Sequence, residues 1–288
     1  MSERAKRGDS RFWRRGTEVV LPPIIKAVMK RDWHGQEHIP RSGGVIIAPN
    51  HLSYADWAAV ALFTHQAGRY PIFLIKSPVF DVKVIGPFLR ACAQIPVHRG
   101  QTDAALVLKD AEQSLRDGRC LIVYPEGTAT RDPALWPMVA KTGVARLALA
   151  TGAPVIPVAH WGAQIILPYG SKQPHLVPRH LVKMLAGPPV DLSAYQGQPM
   201  NRDVLRAATA AVMADITGLL AQLRGKEPPA VPFDPSASRR ARAGQDGQPA
   251  SPGAQAEAPG APTEAGAQAG PGGQAEPPDD PSRKAAPA

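Results

Sequence analysis

Between Val45 and Val158 the chain repeatedly runs a short apolar stretch into a polar cluster and then into a helical pattern. Val45-Ile46-Ile47-Ala48 reads as a buried strand, followed by Pro49-Asn50-His51 and a helix over Tyr54–Gln66 that Gly68 ends. Ile72-Phe73-Leu74-Ile75 is a second strand, with Lys76 after it. Ile95-Pro96-Val97 is a short third, followed by His98-Arg99. Thr102–Asp117 carries Leu106, Val107, Ala111 and Leu115 at helical spacing, with Thr102 as N-cap and Gly118 as a stop. Cys120–Tyr124 is a clear strand, followed by Pro125-Glu126-Gly127-Thr128. Thr142–Ala150 reads as a helix, and Val155-Ile156-Pro157-Val158 as a strand whose proline suggests an edge or a bulge. Asn201–Arg224 puts Leu205, Ala208, Val212, Ile216, Leu219, Leu220 and Leu223 on one helical face. Strands alternating with helices predict an α/β fold, a mostly parallel sheet with helices on both faces.

Composition divides the chain into three. Residues 226–288 hold 13 of the 32 prolines, 8 of the 26 glycines and one aromatic, Phe233. Such a segment buries too little apolar surface to offset its ordering entropy, so a disordered tail is predicted there. Residues 1–34 form a basic, amphipathic N-terminal segment: nine Lys/Arg precede Asp32, interleaved with Phe12, Trp13 and the apolar run Val19–Met29. That mixture suits a helix lying in an anionic membrane interface; the plainer reading is a surface helix packed on the body. The run is interrupted by Pro22 and Pro23 and carries Lys26, far short of the ~20 apolar residues of a membrane span. Neither a signal peptide nor a span is predicted. Residues 35–225 are left as the folded domain.

The net charge of +9 conceals this division, because the tail holds 6 basic and 8 acidic residues and the rest of the chain 27 and 16. A basic body implies an anionic partner: nucleic acid, membrane or phosphorylated substrate. No recognised nucleic-acid module appears, so no nucleic acid is expected. Cys92 and Cys120 are the only cysteines, which excludes a disulfide framework and a CxxC zinc site and fits a reducing compartment.

In an open parallel sheet, ligands bind where the carboxyl ends of the strands line one crevice. If these strands are parallel, His51, Lys76, Arg99 and Glu126 converge there, with the Gly127-Thr128 turn beside them. Cations and free N–H groups suit phosphate, and a histidine near them suits proton transfer. Taken singly, a charge at a strand end marks only solvent; four in succession point to a site.

His51 and Asp56 are five residues apart. On one regular helix they would point roughly 140° apart. With His51 in the strand-to-helix turn, Asp56 in the first turns of the helix can reach back to it. A carboxylate on one imidazole nitrogen fixes the tautomer and leaves the other as a base. The alternative is a structural pair at a helix start. Ser53 is predicted as an N-cap rather than a nucleophile, since no Gly-x-Ser-x-Gly elbow surrounds it. No third ligand lies at a spacing that suits a metal.

Asn50-His51-Leu52-Ser53-Tyr54-Ala55-Asp56 resembles the first motif, His-x4-Asp, of the lysophospholipid acyltransferases. Lys76, Gly86-Pro87 and Ile95–Gly100 resemble the second motif, ending in its arginine. Tyr124–Thr128 with Arg131 resembles the third, and Val155–Val158 the fourth. The likeness spans roughly residues 35–190. Two departures stand out: His98, where an acidic residue is common, and Ala129-Thr130-Arg131-Asp132, where the usual pattern is Arg-Ser.

The resemblance implies transfer of an acyl chain from a coenzyme A or acyl carrier protein thioester to the 2-hydroxyl of 1-acyl-glycerol-3-phosphate, giving phosphatidate. It implies His51 as general base and Asp56 as the residue that orients it. Arg99 with Glu126, Gly127 and Thr128 would hold the glycerol phosphate, and Lys76 and Arg131 the same phosphate or the donor. No cofactor is expected beyond the thioester co-substrate, and no metal. Peripheral or monotopic attachment to the cytoplasmic face of the membrane is expected. The rivals are the same chemistry on glycerol 3-phosphate, another lysophospholipid or a glycolipid, and a non-catalytic membrane-binding relative.

Overall fold

The computed structural model of the chain describes residues 10–97, 101–171 and 173–237. Its strands are β1 (Met29–His34), β2 (Val45–Pro49), β3 (Pro71–Lys76), β4 (Ile95–Val97), β5 (Cys120–Ile122), β6 (Val155–Trp161) and β7 (His180–Ala186). They form one sheet in the order β1-β7-β6-β2-β5-β3-β4. Every pairing is parallel except β6 with β7, so the predicted mostly parallel sheet is what the chain forms. The helices are α1 (Arg11–Val28), α2 (Asp56–Gln66), α3 (Ile85–Ala91), α4 (Gln101–Arg116), α5 (Gly143–Thr151), α6 (Ala163–Ile166) and α7 (Arg202–Arg224).

Successive residues of a strand point to opposite faces, and β2 serves both faces with aliphatic side chains. Val45 and Ile47 join Ile122, Ile156 and Val158 under α1 and α2. Ile46 and Ala48 join Leu121, Val155 and Val144 under α4, α5 and α7. Both faces being covered, β2 is buried at every position, which is why its sequence is a continuous apolar run rather than an alternating one.

The two outer strands at one edge, β1 and β7, are not among the predicted ones. β1 reads Met-Lys-Arg-Asp-Trp-His and is polar because it is an edge strand, paired on one side by β7. The segment predicted as 1–34 is therefore divided: α1 is a helix, but residues 29–34 belong to the sheet. Pro157 is likewise corrected. It lies in β6, between β7 and β2, and not at an edge. Pro154 and Val158 accept from Ile46 and Asn50 of the β2 chain, so Pro157 faces the β7 side, where its carbonyl accepts from Gly187 N at 3.0 Å, next to the pair Val158 and Ala186. Its missing N–H falls at the end of that ladder, where the reciprocal bond to Gly187 is the one it cannot make.

α7 is capped by Asn201, whose Oδ1 accepts from Asp203 N at 3.1 Å and Val204 N at 2.9 Å, and Gly225 follows it at φ +59°. By length and composition α7 could cross a bilayer, but Leu205, Ala208, Val212, Ile216 and Leu220 are spent on the core. The chain beyond the boundary predicted at 225 still engages the body: Val139 N donates to Phe233 O at 3.0 Å, and Met138 bridges Phe233. The rest of the predicted tail, from 238 on, lies outside the described residues.

Candidate active site

β2 ends in the middle of the sheet, and the chain then turns into α2 through Asn50–Ala55. Asp56 is the first residue of α2 and is fully buried. Its Oδ2 accepts from Leu52 N at 2.6 Å and Ser53 N at 2.9 Å, and lies 2.9 Å from His51 Nδ1. The carboxylate thus braces the turn that leads into the helix, and the N-cap predicted at Ser53 is not formed. The helix has Ala55 at its N-cap, without a capping side chain. Ser53 Oγ instead donates to Leu167 O at 2.5 Å and accepts from Ala55 N at 2.9 Å. A negative charge at a helix start is favoured by the helix dipole as well.

His51 is held from three sides. Its ring stacks on Tyr124 at 4.3 Å between centroids. Its backbone N–H donates to Glu126 Oε1 at 2.9 Å, and its carbonyl accepts from Thr130 N at 2.7 Å. The imidazole keeps 16% of its surface open. With Nδ1–H donated to Asp56, Nε2 is left with a lone pair, the arrangement of a general base.

Glu126 departs from the substrate-binding expectation. It is buried, with Oε1 on His51 N and Oε2 accepting from Met138 N at 3.0 Å. It is a clamp that ties the β5 turn to the β2 turn, and both its oxygens are used. Burial pushes its carboxyl up to about 7 against the two backbone donors. An ordinary glutamate titrates near 4.5, so the folded chain binds the extra proton between those values and loses stability as pH rises through them. Relative to wild type, Glu126→Gln is therefore expected to gain stability from about pH 4.5 to about pH 7 and to keep a constant difference above that. At low pH it should be the weaker protein by roughly 1–3 kcal/mol, because its amide NH₂ faces one of two backbone donors. Thermal melts of both proteins from pH 4.5 to 8 check the slope.

Gly127 adopts φ +68°, a conformation glycine takes without strain. Its N–H is spent on Tyr124 O at 3.0 Å and is not the free donor predicted. A Cβ there would stand 3.2 Å from Lys141 Nζ, so a cation absent from the sequence reading lies over this turn. Thr128 is half-buried beside it, and Arg131 is exposed, with its N–H on Met138 Sδ at 3.1 Å. Lys76 is exposed at the end of β3, with β5 between β3 and β2. Arg99 lies outside the described residues. Of the four residues predicted to converge, His51 and Glu126 are brought together.

One residue of the site has no counterpart in the sequence reading. His160, near the end of β6, is fully buried. Its Nε2 lies 2.8 Å from Asn50 O and 3.4 Å from Asp56 Oδ2. Asn50 locks the two strand ends together: Oδ1 accepts from His160 N at 2.8 Å, and Nδ2 donates to His160 O at 3.2 Å. Burial alone would push Asp56 up, but the charge and hydrogen bond of His160 and the hydrogen bond of His51 overcome it and hold the carboxyl at about 2. A separate hollow of about 300 Å³, lined by Trp161, Lys183, Leu223, Arg224 and Lys226, takes no part in this constellation.

The acyltransferase family model matches residues 30–161, a stretch that runs from β1 to the end of β6. Over 148 residues the chain is 30% identical to the chloroplastic 1-acyl-sn-glycerol-3-phosphate acyltransferase BAT2 of Brassica napus, which is half of this chain and 40% of that one. It is 25% identical over 190 residues to the 1-acyl-sn-glycerol-3-phosphate acyltransferase of Streptococcus pneumoniae, 65% of each chain. It is 28% identical over 128 residues to the lyso-ornithine lipid O-acyltransferase of Rhodobacter capsulatus, 44% of each. These matches span less than two thirds of the relatives' own length. The crystal structure of the 1-acyl-sn-glycerophosphate acyltransferase PlsC from Thermotoga maritima aligns with a TM-score of 0.59 at 22% identity, covering 80% of this chain and 86% of that one, a likeness of fold. The stretch that matches the acyltransferase family is the one whose strands and turns assemble His51, Asp56, Glu126 and His160.

Proposed function

We propose that the chain transfers a fatty acyl group from an acyl thioester to the free 2-hydroxyl of 1-acyl-glycerol-3-phosphate, giving phosphatidate. The observation that carries this reading is His51, partly open to solvent and held at Nδ1 by the buried Asp56. His51 Nε2 takes the proton of the acceptor hydroxyl as its oxygen attacks the thioester carbonyl. The new C–O bond forms, the C–S bond breaks, and the proton passes to the departing thiolate. Arg99, Arg131 and Lys141 are the cations proposed for the acceptor phosphate, with Thr128 beside them. Lys76, further along the sheet edge, is assigned to the donor. Glu126 serves by fixing the His51 backbone.

The test is an assay of the purified full chain with 1-acyl-glycerol-3-phosphate, glycerol 3-phosphate and lyso-ornithine lipid as acceptors, each with acyl-coenzyme A and with acyl-acyl carrier protein. Phosphatidate formed with release of one thiol per turnover is expected. No thiol release with either donor would end the reading. The Rhodobacter capsulatus relative, a lyso-ornithine lipid O-acyltransferase, supports a second reading, and turnover of that acceptor alone would favour it.

Attachment to the membrane surface is proposed through α1 and its neighbour α3. Phe12, Trp13, Val19, Val20 and Ile24 of α1 are exposed, as are Ile85 and Phe88 of α3 and Val84 before it. Trp13 packs edge-on against Phe88 at 6.1 Å, so the two helices present one apolar surface, flanked by the exposed cations Arg11, Arg15 and Lys83. α1 is also anchored to the body: Ile25 is in the core and Arg14 lies 4.4 Å over the Tyr70 ring. Surface substitutions therefore test the idea better than deletion. Burying a large apolar side chain stabilises by about 1.5–3 kcal/mol. Phe12→Ser with Trp13→Ser is thus expected to weaken binding to anionic vesicles on the order of 10²-fold in co-sedimentation, with the far-UV spectrum unchanged.

A further inference from the structure

His160 poses a question that packing does not answer. A fully buried imidazole is costly unless its nitrogens are used, and here Nδ1 has no hydrogen-bond partner among the described residues. What rewards a histidine at this position is on its other side, where Nε2 meets Asn50 O at 2.8 Å and Asp56 Oδ2 at 3.4 Å. Asn50 fixes the His160 backbone in both directions, so the ring is aimed by design of the strand ends and not by loose packing. Asp56 Oδ2 therefore stands between two imidazoles, His51 at 2.9 Å and His160 at 3.4 Å.

The charges around this centre do not balance without His160. Asp56 is buried and ionised. Glu126, with one oxygen on the His51 N–H, adds a second carboxyl. Tyr124, stacked on His51, is half-buried with its hydroxyl inside, and it is kept protonated, first by burial of that hydroxyl and then by the Asp56 charge. A His51 that is to act as a base has to be neutral. With His51 neutral, a cation beside the buried carboxylate favours its charged form, and His160 is the group in contact with it.

We infer that His160 is a positioning residue of the reaction proposed above: its imidazolium shares the Asp56 carboxylate with His51, so that Asp56 orients His51 without fastening a proton to it. Burial opposes the charge on His160, but the Asp56 charge and hydrogen bond, the Asn50 carbonyl and Glu126 together raise it above an ordinary histidine. With His160 neutral or absent, the field of Asp56 falls on His51 alone, and His51 keeps its proton to higher pH. The inference rests on the reading of His51 as general base.

The test is the pH dependence of kcat/KM for wild type and His160→Gln, a neutral side chain that can still donate to Asn50 O. It is joined by the ¹⁵N-histidine spectrum of the full wild-type chain at pH 7, which needs no turnover. The expected result is a folded variant whose acidic limb moves to higher pH by on the order of one unit. At pH 6 that means about a ten-fold loss, recovering toward pH 9, with KM for the thioester unchanged. The spectrum should show both His160 nitrogens protonated. The same comparison in a Glu126→Gln background separates this shift from the titration of Glu126. A uniform loss at all pH values with the limb unmoved, or a neutral His160 in the spectrum, would overturn the inference. Should His160→Gln not fold, the spectrum alone decides. Undiminished turnover of His51→Ala would instead overturn the general-base reading, and the spectrum would still report on His160.

Discussion

His51→Ala is expected to lower kcat by about 10²–10⁴-fold, the contribution of a well-placed general base, with KM for the thioester nearly unchanged. The loss should be chemical and not structural, because little of the fold depends on the ring. Glu126 and Thr130 hold the His51 backbone, and alanine keeps both bonds. Asp56 Oδ2 retains Leu52 N and Ser53 N. What is removed is one hydrogen bond and the stacking on Tyr124, the latter worth about 0.5–1.5 kcal/mol. The melting temperature should therefore fall by only a few degrees. Thiol release by the variant, followed on anionic vesicles at saturating acceptor, is the measurement. A rate within ten-fold of wild type would mean that the acceptor hydroxyl finds its base elsewhere.

The parts of this architecture written locally were legible in the sequence, and those made by distant pairings were not. His51 and Asp56 meet because the four residues between them form the strand-to-helix turn, and their spacing alone showed that on one regular helix they would point apart. The central strands showed as apolar runs because both faces of the sheet are covered. Glu126 was visible as a polar residue after a strand, but its partners, the N–H groups of His51 and Met138, are set by tertiary contact, so its role as a clamp was not. His160 escaped because its strand was ended at Val158. Carried three residues further, the same rule of polar residues at strand ends would have found it, yet its meeting with Asp56 depends on β2 pairing β6 across 110 residues. β1 is too polar to read as a strand. β7 buries Val182, Met184 and Ala186 at alternate positions, a period-two signal that a search for continuous apolar runs passes over.

Asp56→Asn should be nearly as damaging as loss of the imidazole itself, lowering kcat by on the order of 10³–10⁴-fold. Asparagine has the same shape, and its amide oxygen can still accept from Leu52 N and Ser53 N. Its NH₂ then takes the place of Oδ1, which is buried and has no hydrogen-bond partner among the described residues, at a cost of about 1–3 kcal/mol. The larger change is electrical: a neutral amide neither stabilises the imidazolium that forms on His51 nor holds the charge of His160. The two effects separate by pH. The wild-type carboxyl titrates at about 2, below its ordinary 3.8, so the stability it contributes is present above pH 4 and is lost as pH falls from there toward 2. Asp56→Asn should lack that acid-side loss, so its melting temperature should approach that of wild type as both are taken from pH 4 to pH 2. Its kcat should stay depressed at every pH where wild type is active. A variant that kept wild-type turnover at pH 7 while melting several degrees lower would make Asp56 a brace of the strand-to-helix turn and nothing more.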